Sequence, residues 1–134
     1  MQLWERWSFD FDDRMPIYRQ IILQFSRAFV RGDIKPGDRI PSIRELSVIV
    51  KVNTNTIQRV YQEMEREGLI NSRRGTGYFF TEDLTMLKET RVKLAHASLR
   101  SFVAEMRALG CEDNEIIEEL KTYMKGVEVY ESAS

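Results

Sequence analysis

Lys35-Pro-Gly-Asp-Arg-Ile-Pro-Ser-Ile-Arg-Glu-Leu46, followed a few residues on by Val52-Asn-Thr-Asn-Thr-Ile-Gln-Arg-Val-Tyr61, decides the fold of this chain. In Lys35-Pro36-Gly37-Asp38 the proline presets one backbone angle and the glycine allows a positive one, the chemistry of a tight turn. Ser42-Ile-Arg-Glu45 has the spacing of a capping box: the hydroxyl can accept from the amide three residues on, and the carboxylate can reach back. The short helix it opens carries Ile43, Leu46, Val48 and Ile49 as apolar surface. Asn53-Thr-Asn-Thr56 offers several caps for a second helix, which turns Ile57, Val60, Tyr61 and Met64 inward and stops at Gly68. Two short helices joined by a tight polar turn make a helix-turn-helix, and its second helix is shaped for a DNA groove.

The flanking sequence fits this reading. Pro16 opens an upstream helix in which Ile17, Ile21, Phe25, Ala28 and Phe29 recur at helical spacing, and Gly32-Asp33 ends it. Downstream, Leu69-Ile70 and Tyr78-Phe79-Phe80 flank the polar, Gly-rich Asn71–Gly77, the pattern of a β-hairpin. A hairpin directly after a recognition helix is a wing, and this one carries Arg73 and Arg74 at its tip. The composition then changes to two long helical patterns, one from about Leu84 to Leu109 and one from Glu112 to about Lys125, separated by Gly110. Residues 126–134 are expected to fray. At the other end, residues 1–14 read as an extended arm. Phe9-Asp-Phe-Asp-Asp13 has the alternation of a short strand, and Trp4 and Trp7 are set to cover an apolar surface of this chain or of a partner.

Bulk properties set the limits. The 134 residues suit one domain, or a small domain with an appendage, and 43% hydrophobic residues are enough for a core. No apolar run approaches the roughly 20 residues of a membrane helix, and the N-terminus lacks the features of a signal peptide. With its single cysteine, Cys111, the chain is expected to be cytosolic and not to interact with membranes. The net charge of −1 and the pI of about 5.9 do not favour nucleic acid. The distribution does: residues 1–81 hold 13 Lys and Arg against 10 Asp and Glu, and residues 82–134 hold 7 against 11.

Enzymatic and metal chemistry find no support. His96 is the only histidine, which leaves too few ligands for a zinc site. There is no serine-histidine-aspartate motif, no phosphate loop and no Gly-x-Gly-x-x-Gly, and Gly75-Thr-Gly77 is too short to cradle a nucleotide. No cofactor is expected.

Residues 15–81 resemble the winged helix-turn-helix of the GntR family of bacterial transcription regulators. The residues that carry the resemblance are Pro16-Ile-Tyr-Arg-Gln-Ile21, Gly32 through Leu46, Val52 through Ile70, and Arg73-Arg-Gly-Thr-Gly-Tyr-Phe-Phe80. The Asn-x-Asn-Thr-Ile-Gln-Arg-Val-Tyr form, with a short two-helix C-terminal segment, looks like the YtrA-like subfamily. The resemblance implies a mainly α fold with a small β-hairpin: residues 1–81 as arm and DNA-binding domain, residues 82–134 as a helical dimerisation segment. It also implies a homodimeric repressor, of a kind often encoded beside ABC-type transporters. Arg44 matches an arginine that family members place on DNA, and Gly75 and Gly77 match the wing glycines. Thr54 and Gln58 stand where many relatives have arginine, so the operator sequence does not transfer. Glutamine can still pair bidentately with adenine.

The candidate DNA contacts are Ser42, Arg44, Asn53, Thr54, Asn55, Thr56, Gln58, Arg59, Arg73, Arg74, Gly75 and Gly77. Arginines suit phosphates, and the polar side chains at the start of the recognition helix suit base edges. Blander roles stand beside these. Arg44 is equally suited to pair with a carboxylate, Arg73 and Arg74 to form a solvated tip, and Asn53 to cap its helix. Arg59 is spaced to pair with Glu63, while Tyr18 and Tyr61 read as packing residues.

Two helices of the C-terminal length do not easily enclose a ligand pocket of about 300 Å³ and still form a core. Their apolar positions, Leu94, Leu99, Phe102, Met106, Ile116 and Leu120, are therefore candidates for a homodimer interface. A twofold dimer presents recognition helices to half-sites roughly 34 Å apart, which calls for a palindromic double-stranded operator. A small-molecule effector is left open. The competing reading is a winged-helix module that binds protein rather than DNA, in keeping with the acidic pI.

Overall fold

The structure, a computed structural model, describes residues 2–9 and 14–133. Its helices are α1 (Ile17–Arg31), α2 (Ile43–Val50), α3 (Thr54–Arg66), α4 (Leu84–Ala108) and α5 (Asp113–Ala133). Its strands are β1 (Arg39–Ile40), β2 (Ile70–Arg73) and β3 (Gly77–Phe80). The chain is mainly helical with a small antiparallel sheet, as expected. By contacts it divides into two units, Met1–Val92 and Lys93–Ser134.

Local chemistry sets most boundaries in the first unit. Pro16 stands just before α1, and Gly32 closes it in the left-handed region with φ of 87°. Asp38 Oδ2 accepts from the Lys35 amide at 2.8 Å and ties the turn that follows. The capping box of α2 is complete: Ser42 Oγ accepts from the Glu45 amide at 3.1 Å, and Glu45 Oε1 accepts from the Ser42 amide at 3.3 Å. Asn53 Oδ1 accepts from the Asn55 amide at 2.7 Å and starts α3. Such a cap contributes about 1 kcal/mol.

The core lies where α1, α2 and α3 meet the sheet. Ile21, Phe25, Phe29, Leu46, Ile57, Val60, Tyr61, Met64 and Phe80 are buried there. Val48, counted above as apolar surface of the capped helix, is instead 73% exposed, because it lies on the opposite face of α2 from Leu46.

Two parts of this unit depart from expectation. The N-terminal segment is not an extended arm: Leu3–Arg6 form a 3-10 turn that brings Trp4 and Trp7 onto Phe25, at centroid distances of 5.9 and 4.8 Å. The tryptophans thus cover the chain's own core. Of the alternation proposed at residues 9–13, positions 10–13 lie outside the described residues; Phe9 packs edge-on to Trp7. The hairpin also gains a third strand. The sheet order is β1-β3-β2, with Arg39 opposite Phe79 and Ile40 opposite Tyr78. A two-residue strand shows no periodicity in sequence and exists only because β3 supplies its hydrogen bonds.

Tyr61 joins these layers. Its hydroxyl donates to the Pro41 carbonyl at 2.6 Å. Burial, with Tyr78 and Glu45 adding to it, pushes the phenol far above its ordinary value of 10.0, so it remains a neutral donor. Tyr61→Phe is expected to cost about 1 kcal/mol of folding stability in urea unfolding. A phenol raised in the folded state favours folding fully below pH 10 and loses that contribution above it, where the unfolded chain ionises. The alkaline fall in stability should therefore be smaller in Tyr61→Phe than in the wild type.

The second unit holds the C-terminal part of α4 and the whole of α5, joined by a turn at Gly110. Arg107 binds the Asp113 carboxylate with distances of 3.0–3.2 Å across the Gly110 turn, and the Glu112 amide donates to Glu115 Oε1 at 3.0 Å. α5 continues through Gly126 to Ala133, further than the sequence pattern indicates. Ile116 is buried within the chain, whereas Leu94, Phe102, Val103 and Met106 are half-buried. Leu99, Ile117, Leu120, Tyr123 and Met124 are exposed.

Candidate nucleic-acid interface

Three elements carry the candidate contacts: the start of α2, the start of α3 and the β2–β3 hairpin tip. At α2 the capping box occupies Glu45 and the acceptor side of the Ser42 hydroxyl, leaving that hydroxyl's proton free to donate. Arg44, on the next position, is exposed and has no carboxylate partner among the described residues. The paired-arginine reading of Arg44 is thus not what the structure holds.

The turn between α2 and α3 is locked by Ser47. Its Oγ donates to the Val52 carbonyl at 2.6 Å and lies 3.2 Å from Thr54 Oγ1. Because the Ser47 proton is already committed, Thr54 is the donor in the second bond. Thr54 thereby fixes the turn, and its hydroxyl offers only acceptor capacity outward. Asn53 spends its carbonyl oxygen on the cap and keeps its NH₂ donors. Asn55 and Gln58 are exposed with their side-chain carboxamides unengaged among the described residues, whereas Thr56 is half-buried. The Asn55, Thr56 and Ile57 amides are all spent on Asn53, so what the helix start offers an anion is the positive end of its dipole.

Arg59 differs from expectation. Glu63 pairs with Arg66, and the Arg59 guanidinium stacks on the Tyr18 ring, 3.7 Å from its centroid. The i+4 ion pair is lost because the i+3 arginine takes the carboxylate. Tyr18 is thus a packing residue that also holds a charged group.

At the hairpin tip, Thr76 closes the turn by donating to the Arg73 carbonyl from both its amide and its hydroxyl, each at 3.0 Å. Gly75 and Gly77 have φ of 79° and 120°, conformations that side-chain-bearing residues rarely adopt. Nothing lies within 4 Å of where a Cβ at Gly75 would stand, so the backbone there is open to close approach. Arg73 lies over the Phe79 ring at 4.1 Å and 3.8 Å from the Glu82 carboxylate, so it is partly engaged. Arg74 is exposed and without a partner among the described residues.

The sequence reading missed Arg39. Once β1 pairs with β3, its guanidinium lies against Gly77, with Nε 3.3 Å from the position of a Cβ there. Arg39, Arg73 and Arg74 together make the wing basic. The signal was present in Gly37-Asp-Arg-Ile-Pro41, but only strand pairing brings it to the hairpin.

A three-helix core with a helix-turn-helix, whose second helix presents an exposed polar start, and a basic hairpin beside it define the winged helix-turn-helix class of DNA-binding domains. Residues 17–80 match the model for bacterial regulatory proteins of the gntR family. The chain is 43% identical over 116 residues to an uncharacterised HTH-type transcriptional regulator, YhcF, of Bacillus subtilis, covering 87% of this chain and 96% of that one. It is 36% identical over 115 residues to the HTH-type transcriptional repressor YtrA of the same organism, covering 83% and 88%. A solved GntR family transcriptional regulator from Listeria monocytogenes superposes with a TM-score of 0.75 at 38% identity, covering 84% of this chain and 98% of that one. The chain belongs to the GntR family of DNA-binding transcription regulators, a non-enzymatic family, and its near full-length similarity to YtrA places it with the YtrA-like members. Among the described residues no helix is long and apolar enough to cross a membrane.

Proposed function

We propose that the protein is a cytoplasmic homodimeric repressor that binds a palindromic operator and blocks transcription sterically. Residues 1–81 read DNA, and residues 82–134 pair two copies. The observation that carries the DNA-binding part is the exposed polar start of α3, with Asn53, Thr54, Asn55 and Gln58, in the same unit as the exposed Arg44 of α2 and the arginines of the wing. Asn55 and Gln58 are the base-edge readers; Arg44, Arg74 and the Ser42 hydroxyl take phosphates. Arg59 and Arg73 keep edge N–H groups for the backbone while their faces rest on aromatic rings.

Pairing is supported by the second unit. Leu99 is 50% exposed, Ile117 51%, Tyr123 66% and Met124 69%, large apolar side chains that a second copy would cover. Half-buried Leu94, Phe102 and Met106 lie with Leu99 and Leu120 in the proposed interface, and Ile116 supports it from behind. The repressor role follows the YtrA relative, and a transporter operon is the target class that the subfamily resemblance supplies.

The test is a gel-shift titration with DNA from upstream of the protein's own gene. Arg44→Ala should leave the circular dichroism spectrum unchanged and weaken binding about tenfold. The slope of log K against log salt should fall by about 0.9, the signature of one lost phosphate. Wild-type affinity in this variant would remove Arg44 from the DNA face. No shift at all at low salt would favour the protein-binding reading of the winged helix.

A further inference from the structure

One aromatic ring in the first unit carries two cations. The Arg59 guanidinium lies 3.7 Å from the Tyr18 centroid, and that of Arg19 lies 5.7 Å from it. Tyr18 is half-buried against the core cluster, so the ring is held, while both arginines are exposed. Neither has a carboxylate partner among the described residues, since Glu63 is taken by Arg66. Two guanidinium groups at one ring, with no counter-ion among the described residues, repel each other, and an anion lying between them reverses the sign of that energy. A guanidinium flat on a ring still presents its edge N–H donors, the fork that fits a phosphate. Arg59 lies one turn along α3 from Asn55, so the pair adjoins the polar start of that helix. The same device recurs on the wing, where Arg73 lies over Phe79 at 4.1 Å.

We propose that Tyr18 is a positioning residue for DNA binding: its ring holds Arg59, with Arg19 beside it, so that the two guanidinium groups grip one backbone phosphate at the edge of the groove entered by α3. The contact adds affinity and register rather than base selectivity, since a phosphate carries no sequence information. Tyr18 itself touches no DNA. This inference rests on the DNA-binding reading above.

The experiment measures affinity by fluorescence anisotropy, across a salt series, for the full chain and a labelled duplex from upstream of its own gene. Arg59→Ala is expected to weaken binding about tenfold and to lower the salt slope by about 0.9. Arg19→Ala in that background should add less than it does alone, because the two share one phosphate. Tyr18→Leu should weaken binding about threefold in the wild type and not at all in Arg59→Ala, whereas Tyr18→Phe keeps wild-type affinity. Equal weakening by Tyr18→Leu in both backgrounds means plain packing and overturns the proposal, as does an unchanged slope in Arg59→Ala. If Tyr18→Leu does not fold, the slope and the Arg19–Arg59 non-additivity decide. Arg44→Ala in the same series separates the two levels. An effect there with none at Arg59 sinks this proposal alone; no effect at either sinks the DNA-face reading as well.

Discussion

Phe25→Ala is expected to remove about 3–5 kcal/mol of folding stability, the largest effect of any single substitution in the first unit. Phe25 is fully buried and meets four rings: Trp4, Trp7, Tyr61 and Phe80, at centroid distances of 5.9, 4.8, 6.1 and 6.0 Å. These rings come from the N-terminal 3-10 turn, from α3 and from β3, so one cavity loosens three elements. A domain of this size has about 5–15 kcal/mol in all, and the loss is a large share of it. DNA binding should fade at growth temperature although no contacting residue has changed. Urea unfolding followed by tryptophan fluorescence reads the effect directly, because both tryptophans of the chain lie on Phe25. Phe25→Leu, which keeps part of the volume, should cost clearly less. A loss below about 1 kcal/mol in Phe25→Ala would show that the N-terminal rings do not close over this residue.

Leu99→Glu combined with Phe102→Glu is expected to give monomers and to weaken operator binding by about 10²–10⁴-fold. A dimer engages its second half-site intramolecularly, and that gain disappears when the two copies part. Leu99 is exposed and Phe102 half-buried, so charge at these sites costs a lone chain less than it costs an apolar interface. Light scattering should give the chain mass of 15.8 kDa in place of twice that value. Because Phe102 is half-buried, Leu99→Glu with Leu120→Glu serves as the companion variant, its sites both exposed. A particle that stays dimeric in both variants places the interface elsewhere.

Much of the first unit was legible because its signals are short-range. Ser42 and Glu45 find each other three residues apart, Asn53 caps two residues on, and Gly32 ends a helix where it stands. The candidate interface was legible to the same extent: Arg44 and Asn55 lie where their elements begin. What failed was side-chain pairing. The alternative of an Arg59–Glu63 ion pair, open from spacing alone, does not form: the structure gives Glu63 to Arg66 and Arg59 to Tyr18 on α1. The Ser47–Thr54 hydrogen bond, which ties the start of α3 to the preceding helix, likewise shows in no local pattern.

By itself the sequence determined the class, the order of elements and the caps that start and stop them, because each depends on hydrogen bonds between near neighbours. Only the tertiary structure decided that the tryptophans fold back onto Phe25, that Arg39 becomes part of the wing through a two-residue strand, and that Arg59 rests on Tyr18. Those contacts join residues far apart in the chain, and no local pattern encodes them. They exist because packing α1, α3 and the sheet into one core brings these groups side by side.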